Sequence, residues 1–257
     1  MPNSTEAERQ AFIVTGSSSG VGAATALLLA RAGSAVVINY SKGAAAAEEV
    51  AQACIAAGGD ARVVRADVSK DEDCSRLAAA ALDGWGRLDG LVNNAGTTKF
   101  ASMRKLDALS AEDFLRIYAV NLIGAYQMVR ACEAGLRAAR GAVVNVSSIA
   151  GTMGLGSSHA YASSKGALNA LTLSLARSLS PDIRVNAVLP GFIETRWLKD
   201  GLGADYERAR QGYCDQSALK ATLQPEEVAE AIVALLRAKK VTGQLHTVDA
   251  GRGLGIG

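Results

Sequence analysis

Short runs of apolar, often β-branched residues alternate along this chain with longer segments rich in alanine and leucine. The short runs are typical of strands buried on both faces, and the longer segments have the length and composition of helices. The predicted strands cover residues 11–15, 35–38, 62–66, 88–92, 142–147, 184–189 and 244–248. The predicted helices cover residues 20–32, 44–56, 71–84, 111–137, 160–179 and 225–238. This rhythm predicts an α/β fold with a doubly wound, mostly parallel sheet and helices on both faces.

The alternation is interrupted once, after Pro190. The stretch that follows to about Leu223 is expected to be irregular, and its mixture of aromatic, apolar and charged residues is typical of a lid over a substrate, placed at about residues 193–223. No linker or shift in composition divides the chain, so we predict one catalytic domain over residues 11–257. The polar residues 1–10 are expected to form a flexible tail.

Composition and charge exclude several classes of function. The 257 residues are 49% hydrophobic and 20% charged, as in an ordinary globular protein. The net charge of +2 comes from scattered residues, so we expect no nucleic-acid partner. No apolar run approaches the ~20 residues that span a bilayer, and we expect no membrane association. The four cysteines are far apart and form no metal-binding pattern, which predicts no metal site and favours reduced thiols in a cytoplasmic protein.

A glycine- and serine-rich loop, T-G-S-S-S-G-V-G at residues 15–22, joins the first predicted strand to the first helix. Glycines permit a tight turn and a close approach of backbone N–H groups to a pyrophosphate, and the helix N-terminus adds a partial positive charge. Such a loop is often only a turn, but its position between a buried strand and a helix favours a nucleotide site. The lysine of an NTPase phosphate loop is absent, which disfavours a kinase or NTPase.

Further motifs follow: Asp67-Val68, N-N-A-G at residues 93–96, Ser148, Tyr161-x-x-x-Lys165 and Pro190-Gly191. In order and spacing, together with T-G-x-x-x-G-x-G, they resemble the short-chain dehydrogenase/reductase family, including its 3-oxoacyl-carrier-protein reductases and glucose dehydrogenase-like carbonyl reductases. The resemblance covers residues 11–251. It implies a single-domain Rossmann-type fold and an enzyme that acts on CH–OH groups with NAD or NADP as acceptor.

The expected catalytic residues are Asn121, Ser148, Tyr161 and Lys165. Tyr161 and Lys165 are four residues apart and lie on one face of a helix. The lysine charge, helped by the positive ring of the oxidised cofactor, is expected to lower the pKa of Tyr161 so that it can transfer a proton. Ser148 is expected to donate a hydrogen bond to the substrate oxygen, with Ser147 as the neighbouring alternative. The resemblance implies that Lys165 also holds the nicotinamide ribose and that Asn121 holds a water in a proton relay.

The resemblance also implies the cofactor contacts. Asp67 would bind the adenine amino group, residues 93–96 would line the cofactor, and Ile193 and Thr195 would contact its nicotinamide carboxamide and phosphates. The full set of expected cofactor-binding residues is Gly16, Ser18, Ser19, Gly20, Val21, Gly22, Asn39, Tyr40, Ser41, Lys42, Asp67, Val68, Asn94, Ala95, Gly96, Tyr161, Lys165, Pro190, Gly191, Ile193 and Thr195.

The end of the second predicted strand bears on the choice of cofactor. An acidic residue there binds a ribose diol and repels a 2′-phosphate, but residues 39–42 are Asn, Tyr, Ser and Lys. Ser41 and Lys42 can donate hydrogen bonds to a phosphate, which favours NADP, used as NADPH. Ser19 stands where many NADP-preferring relatives carry a basic residue, so NAD remains an alternative.

The predicted function is hydride transfer between a nicotinamide cofactor and a small-molecule carbonyl or secondary alcohol, in the direction of NADPH-dependent reduction. An acyl group on a carrier protein is one possible substrate, with Arg130, Arg137 and Arg140 facing the acidic partner, although a solvated helix end explains these arginines more simply. A non-catalytic redox sensor or scaffold is the alternative, and a sugar-nucleotide epimerase is a third. The family implies a homodimer or homotetramer assembled through the helices at 111–137 and 160–179.

Overall fold

The computed structural model describes residues 9–255, and in this part of the chain seven strands form one sheet. The strands are β1 (Ala11–Val14), β2 (Ala35–Tyr40), β3 (Asp60–Arg65), β4 (Gly90–Asn93), β5 (Ala142–Val146), β6 (Arg184–Pro190) and β7 (Leu245–Val248). All neighbouring strands are parallel, in the order β3-β2-β1-β4-β5-β6-β7. The order reverses between β1 and β4, which is the switch point beyond whose carboxyl ends ligands bind in such sheets. The predicted fold class is confirmed.

Helices cover both faces of the sheet. They are α1 (Gly20–Arg31), α2 (Ala44–Ala56), α3 (Asp71–Trp85), α4 (Ala111–Tyr118), α5 (Ala125–Ala139), α6 (Ala150–Met153), α7 (His159–Leu179), α8 (Arg196–Leu202), α9 (Tyr206–Gln216) and α10 (Pro225–Arg237). One apolar core lies between the sheet and α1, α2 and α10, and a second lies between the sheet and α3, α5 and α7. Because apolar side chains of the strands enter both cores, the strand sequences are almost continuously apolar. None of the described helices is both long and apolar enough to cross a membrane.

Two predicted segments differ from the structure in more than their ends. The helix expected at 111–137 is α4 and α5 joined by a π-helical turn, Ala119–Gly124, which hydrophobic periodicity does not signal. The stretch after Pro190, expected to be irregular, contains α8 and α9. Neither helix shows an apolar stripe, because α8 has no fully buried residue and α9 buries only Tyr206. Of the predicted tail, residues 1–8 lie outside the described residues.

Candidate functional site

A cavity of about 1090 Å³ opens at the carboxyl ends of the strands. The glycine-rich loop, the end of β2, α8 and α9 all contribute to its lining. Ser148, Tyr161 and Lys165 lie in the same cavity. Its volume exceeds the ~300 to 1,000 Å³ of most small-molecule sites, which fits two ligands bound side by side.

The glycines of the glycine-rich loop occupy positions where a side chain would be strained or would clash. Gly16 and Gly20 have φ angles of +61° and +55°, a region that favours glycine. A Cβ on Gly22 would lie 2.6 Å from both the Gly16 carbonyl oxygen and Asn94 Nδ2. Asn94 Nδ2 also donates to the carbonyl oxygens of Thr15 and Gly16, at 2.9 and 3.0 Å. The loop is therefore a closely packed wall held from behind.

This wall fits the pyrophosphate of a dinucleotide. Helix α1 begins at Gly20, and within the described residues its N-cap, Ser19, makes no side-chain capping hydrogen bond. The first N–H groups of the helix thus face the cavity without a side-chain acceptor. An anion at this position would be bound by those N–H groups and by the positive end of the helix dipole.

Most of the expected cofactor-binding residues do line the cavity, but Ser18, Gly22 and Tyr40 do not. Gly22 packs against Gly16 and Ser17 at the other end of its own loop. The Tyr40 side chain packs against the apolar core beside α1 and α2. Asn39 lines the cavity, yet its amide is already used, because Oδ1 accepts from Gly16 N at 2.9 Å and Nδ2 donates to the Ala66 carbonyl at 3.1 Å. Asn39 therefore supports the loop.

The residues that follow β3 and β4 have divided roles. Asp67 lines the cavity, and its Oδ1 accepts from the backbone N–H and the hydroxyl of Ser69, at 3.0 and 2.7 Å. These bonds hold the carboxylate in an Asx-type turn at the cavity wall. Asn93 was expected to line the cofactor but points into the interior, where Nδ2 donates to Asn145 Oδ1 at 2.9 Å and to the Ala125 carbonyl at 3.3 Å.

Tyr161 and Lys165 lie one turn apart on α7, which begins where the Ser158 hydroxyl accepts from Tyr161 N. Lys165 Nζ is 5.7 Å from the centroid of the Tyr161 ring and donates to the Val146 carbonyl at 2.8 Å. Only 4% of Lys165 is exposed, and burial lowers its pKa to about 8. The ammonium is thus held beside the phenol at the floor of the cavity.

Burial raises the pKa of Tyr161 to about 12, and a hydrogen bond with Ser148 opposes that rise. The direction is opposite to the lowering expected from Lys165. The reason is that removing a phenolate from water costs more here than its stabilising contacts return. The Tyr161 hydroxyl therefore keeps its proton at neutral pH in this structure.

The two neighbouring serines, Ser147 and Ser148, differ in their burial and in their hydrogen-bond partners. Ser147 is 3% exposed, and its hydroxyl donates to Asn169 Oδ1 at 2.6 Å and to the Lys165 carbonyl at 3.1 Å. Ser148 is half-buried, and its hydroxyl accepts from Ala150 N at 3.1 Å. The Ser147 hydroxyl is used to hold β5 against α7, while Ser148 faces Tyr161.

Asn121 lies behind the cavity, in the π-helical turn. Its Oδ1 accepts from Thr97 N at 2.8 Å, and its Nδ2 donates to the Thr97 carbonyl and to the Ser164 hydroxyl, both at 3.0 Å. These bonds fix the loop after β4. A Cβ on Gly96 would lie 3.5 Å from Asn121 Oδ1 and 3.7 Å from Lys165 Nζ, so the three residues are neighbours.

Among the cavity residues that the sequence did not identify as site residues are two aromatic ones that lie close together, Phe100 and Trp197. Phe100, on the loop after β4, carried no motif that could have identified it. Trp197, in α8, was noted only as part of the aromatic lid composition. Its ring centroid is 6.1 Å from that of Tyr161. Both rings line the cavity.

Comparisons with known proteins agree with this geometry. Residues 16–252 match a family model described as enoyl-(acyl carrier protein) reductase. The chain is 44% identical over 247 residues to a protein of Streptomyces violaceoruber described as ketoacyl reductase 2 of the granaticin polyketide synthase, covering 95% of this chain and 96% of that one. It is 36% identical over 252 residues to the 3-oxoacyl-[acyl-carrier-protein] reductase of Synechocystis sp., covering 94% and 96%.

A solved structure is also similar over its whole length. It is described as a short-chain dehydrogenase/reductase from Burkholderia xenovorans, with a TM-score of 0.90 and 40% sequence identity. The alignment covers 97% of this chain and 100% of that one. The similarity therefore extends over the sheet, the cavity and the helices around it.

Proposed function

This chain belongs to the short-chain dehydrogenase/reductase family and is an NAD(P)-dependent oxidoreductase that interconverts carbonyl and alcohol groups, and we propose that it works as an NADPH-dependent reductase. The proposed catalytic groups are Ser148, Tyr161 and Lys165, with Asn121 positioning the loop beside them. The observation that carries this proposal is that Ser148, Tyr161 and Lys165 line the same cavity as the N-terminus of α1, where none of the described side chains caps the helix.

The protein's own residues supply proton transfer and orientation. When bound, the nicotinamide ring supplies the hydride in reduction and accepts it in oxidation. Tyr161 donates its hydroxyl proton to the carbonyl oxygen, and its raised pKa keeps that proton available at neutral pH. Ser148 donates a hydrogen bond to the same oxygen as negative charge develops there. Lys165 places a positive charge beside the phenol and, by the family resemblance, holds the nicotinamide ribose.

The preference for NADPH rests on the cavity wall after β2. Ser41 and Lys42 are exposed and line the cavity, and no carboxylate stands between residues 39 and 42. A 2′-phosphate placed there would meet a hydroxyl donor and an ammonium without repulsion. The observation supports NADPH over NADH, and Lys42→Met should weaken NADPH binding while leaving NADH binding unchanged.

The first experiment is isothermal titration with NADPH and with NADH, followed by an absorbance screen of ketones, sugars and acyl thioesters with the tighter cofactor. The proposal expects tighter NADPH binding and turnover of at least one carbonyl class. Tighter NADH binding would overturn the cofactor assignment alone. Tight binding without turnover across the panel would overturn the reductase and favour a redox sensor.

An acyl carrier protein as partner gains no support from the arginines considered for it. Arg130 pairs with Asp71, and Arg137 pairs with Glu133 and Asp182. The charges of these two arginines are therefore matched within the protein, while Arg140 is exposed and has no ion pair among the described residues.

We also propose a symmetric homodimer or homotetramer in the cytoplasm, with α8 and α9 acting as a lid over the substrate. Exposed apolar side chains on α4, the π-helical turn, α5 and α7 support the assembly, since such patches on helices mark contact surfaces. They are Leu115, Ile123, Tyr126 and Leu173. Light scattering after size exclusion tests the assembly, and a monomeric mass at micromolar concentration would contradict it.

A further inference from the structure

Three aromatic rings lie together in the cavity, on the loop after β4, on α7 and on α8. The rings of Phe100 and Trp197 have centroids 5.4 Å apart and planes at 57°. The rings of Trp197 and Tyr161 have centroids 6.1 Å apart and planes at 46°. We call Phe100, Trp197 and Tyr161 the aromatic wall. It places two large planar side chains next to the phenol that donates the proton.

The aromatic wall is held from behind. The Thr98 hydroxyl is 2.8 Å from the Ser157 hydroxyl, and Ala101 N donates to the Ser157 carbonyl at 2.9 Å, so the loop of Phe100 is tied to the segment before α7. A Cβ on Gly201 of α8 would lie 2.0 Å from Phe100 Cε2. The Phe100 ring therefore packs directly on the backbone of α8, and glycine is what permits that contact.

Several polar groups of the cavity lining near the aromatic wall already have partners. The Ser157 hydroxyl is paired with Thr98, and the Tyr213 hydroxyl donates to the Asp249 carbonyl at 2.7 Å. Two charged side chains of this lining are also engaged: Glu194 accepts from the Thr222 hydroxyl, and Arg196 pairs with Asp200. Leu155, Leu198 and Leu202 complete this part of the lining. Beside these paired groups, a substrate body bound here meets rings and aliphatic side chains.

Resting on the proposed reductase function, we propose that the natural substrate carries its carbonyl beside a planar aromatic ring, which stacks on Phe100 and Trp197. Aromatic rings attract one another in offset and tilted arrangements with centroids ~4.5 to 7 Å apart, beyond what buried area alone provides. A saturated body of the same size gains only the area. A polyol would find several of the polar side chains here already paired within the protein, and competing with those pairs costs binding.

The test compares two ketones with one carbon skeleton. In 2-tetralone and 2-decalone the carbonyl is not conjugated with the second ring, and that ring is aromatic in the first and saturated in the second. With the preferred cofactor, kcat/KM for 2-tetralone should exceed that for 2-decalone by roughly tenfold or more, because ring stacking is lost with the saturated ring. A ketohexose should be a poorer substrate than either.

The variants are Trp197→Leu and Phe100→Leu. Each should lower kcat/KM for 2-tetralone by roughly tenfold and for 2-decalone by less than about threefold, since leucine keeps the apolar contact and removes the ring. Leu219→Ala is the matched control, because Leu219 is 75% exposed and does not line the cavity. It should change neither value.

A binding measurement separates this inference from the reductase proposal. Tyr161→Phe keeps the third ring, and its complex with cofactor should bind 2-tetralone more tightly than 2-decalone. Ketone turnover with equal kcat/KM for both probes, a preference for the ketohexose, or equal losses on both probes in Trp197→Leu would overturn the inference and leave the reductase standing. Selective binding without turnover of any carbonyl would overturn the reductase and support the aromatic wall. Neither turnover nor binding would overturn both.

Discussion

The two ends of the cavity are built in different ways. The nucleotide end consists of backbone at the carboxyl ends of β1, β2 and β4, with Asn39 and Asn94 tying the glycine-rich loop to the sheet. The substrate end consists of side chains carried by a loop and two short helices, of which α8 contributes no fully buried residue. The nucleotide end is thus attached to the buried sheet. The substrate end, which decides which substrate is bound, lies where few buried contacts restrain the chain.

The substrate end is nevertheless latched at defined points. The Tyr213 hydroxyl of α9 donates a hydrogen bond to the Asp249 carbonyl. A Cβ on Gly191 would lie 1.8 Å from the same hydroxyl oxygen. Ile193 and Leu223 form a single parallel bridge that joins the two ends of the segment. A few polar contacts and a small number of apolar ones, such as Phe192 against Tyr206 and Tyr213, hold this end to the domain. The contrast predicts that single substitutions will affect the two ends separately.

The largest effect on ligand binding is expected at the nucleotide end, from Gly22→Ala. The added Cβ would lie within 2.8 Å of Gly16, Ser17 and Asn94, mostly backbone atoms that cannot move aside cheaply. We expect cofactor affinity to fall by roughly 100-fold or more, since overpacking of this kind costs about 1–3 kcal/mol and also displaces the loop. Isothermal titration measures the loss.

Gly212→Ala is the matched control at the substrate end. Gly212 lies within α9 with no atom close to its added Cβ, so the change should leave cofactor affinity unchanged and stabilise the helix by up to about 1 kcal/mol. Equal cofactor affinity in Gly22→Ala and wild type would show that the glycine-rich loop does not form the nucleotide end.

A smaller effect, on stability, is expected at the boundary between the ends, where Lys165 lies. Its pKa of about 8 is below the ordinary 10.5, so the folded protein carries the cost of a buried charge below pH 8. That cost, about 3 kcal/mol, disappears as the pH rises from 8 to 10.5. Lys165→Met removes the charge but also the bond to the Val146 carbonyl, which offsets about 1 kcal/mol.

Lys165→Met should therefore be inactive yet more stable than wild type at pH 7, by about 2 kcal/mol from these two contributions. The difference in Tm should shrink between pH 8 and pH 10 as wild-type Lys165 loses its proton. Thermal unfolding of both proteins across this range measures it. A difference in Tm that does not change with pH would mean that Lys165 is not buried as a charged group.

The smallest effect is expected from Tyr213→Phe at the substrate end. The variant keeps the ring and removes one hydrogen bond, worth about 1 kcal/mol, to the Asp249 carbonyl. We expect KM for the carbonyl substrate to rise by roughly threefold to tenfold with cofactor affinity unchanged. Weaker cofactor binding with an unchanged KM would instead assign Tyr213 to the nucleotide end.

The same contrast explains what could be predicted from the sequence. The strands were recognisable because burial on both faces makes their sequences apolar, and the glycine-rich loop because its shape admits no side chains. The helices α8 and α9 were not recognisable, because they bury too little to show a period. Phe100 was missed because its role depends on Gly201, 101 residues further along the chain.

The direction of the pKa shift of Tyr161 also could not be predicted from the sequence. The spacing of Tyr161 and Lys165 predicts that they are neighbours, but it does not contain the depth at which they lie. That depth decides the direction of the pKa shift of Tyr161, which burial raises. The contacts of Asn121 with Thr97 likewise depend on a π-helical turn that leaves no trace in the hydrophobic pattern.

The measurement that tests the central claim most directly is the turnover of Tyr161→Phe, made alongside its cofactor affinity. The substitution removes the proton donor and keeps the ring, so kcat for carbonyl reduction should fall by roughly 10²- to 10⁴-fold. The dissociation constant for NADPH should change by less than about tenfold, because the phenol contributes at most one hydrogen bond, worth about 1 kcal/mol, to the cofactor. Turnover close to that of wild type would contradict the assignment of Tyr161 as the proton donor and with it the mechanism proposed for this cavity.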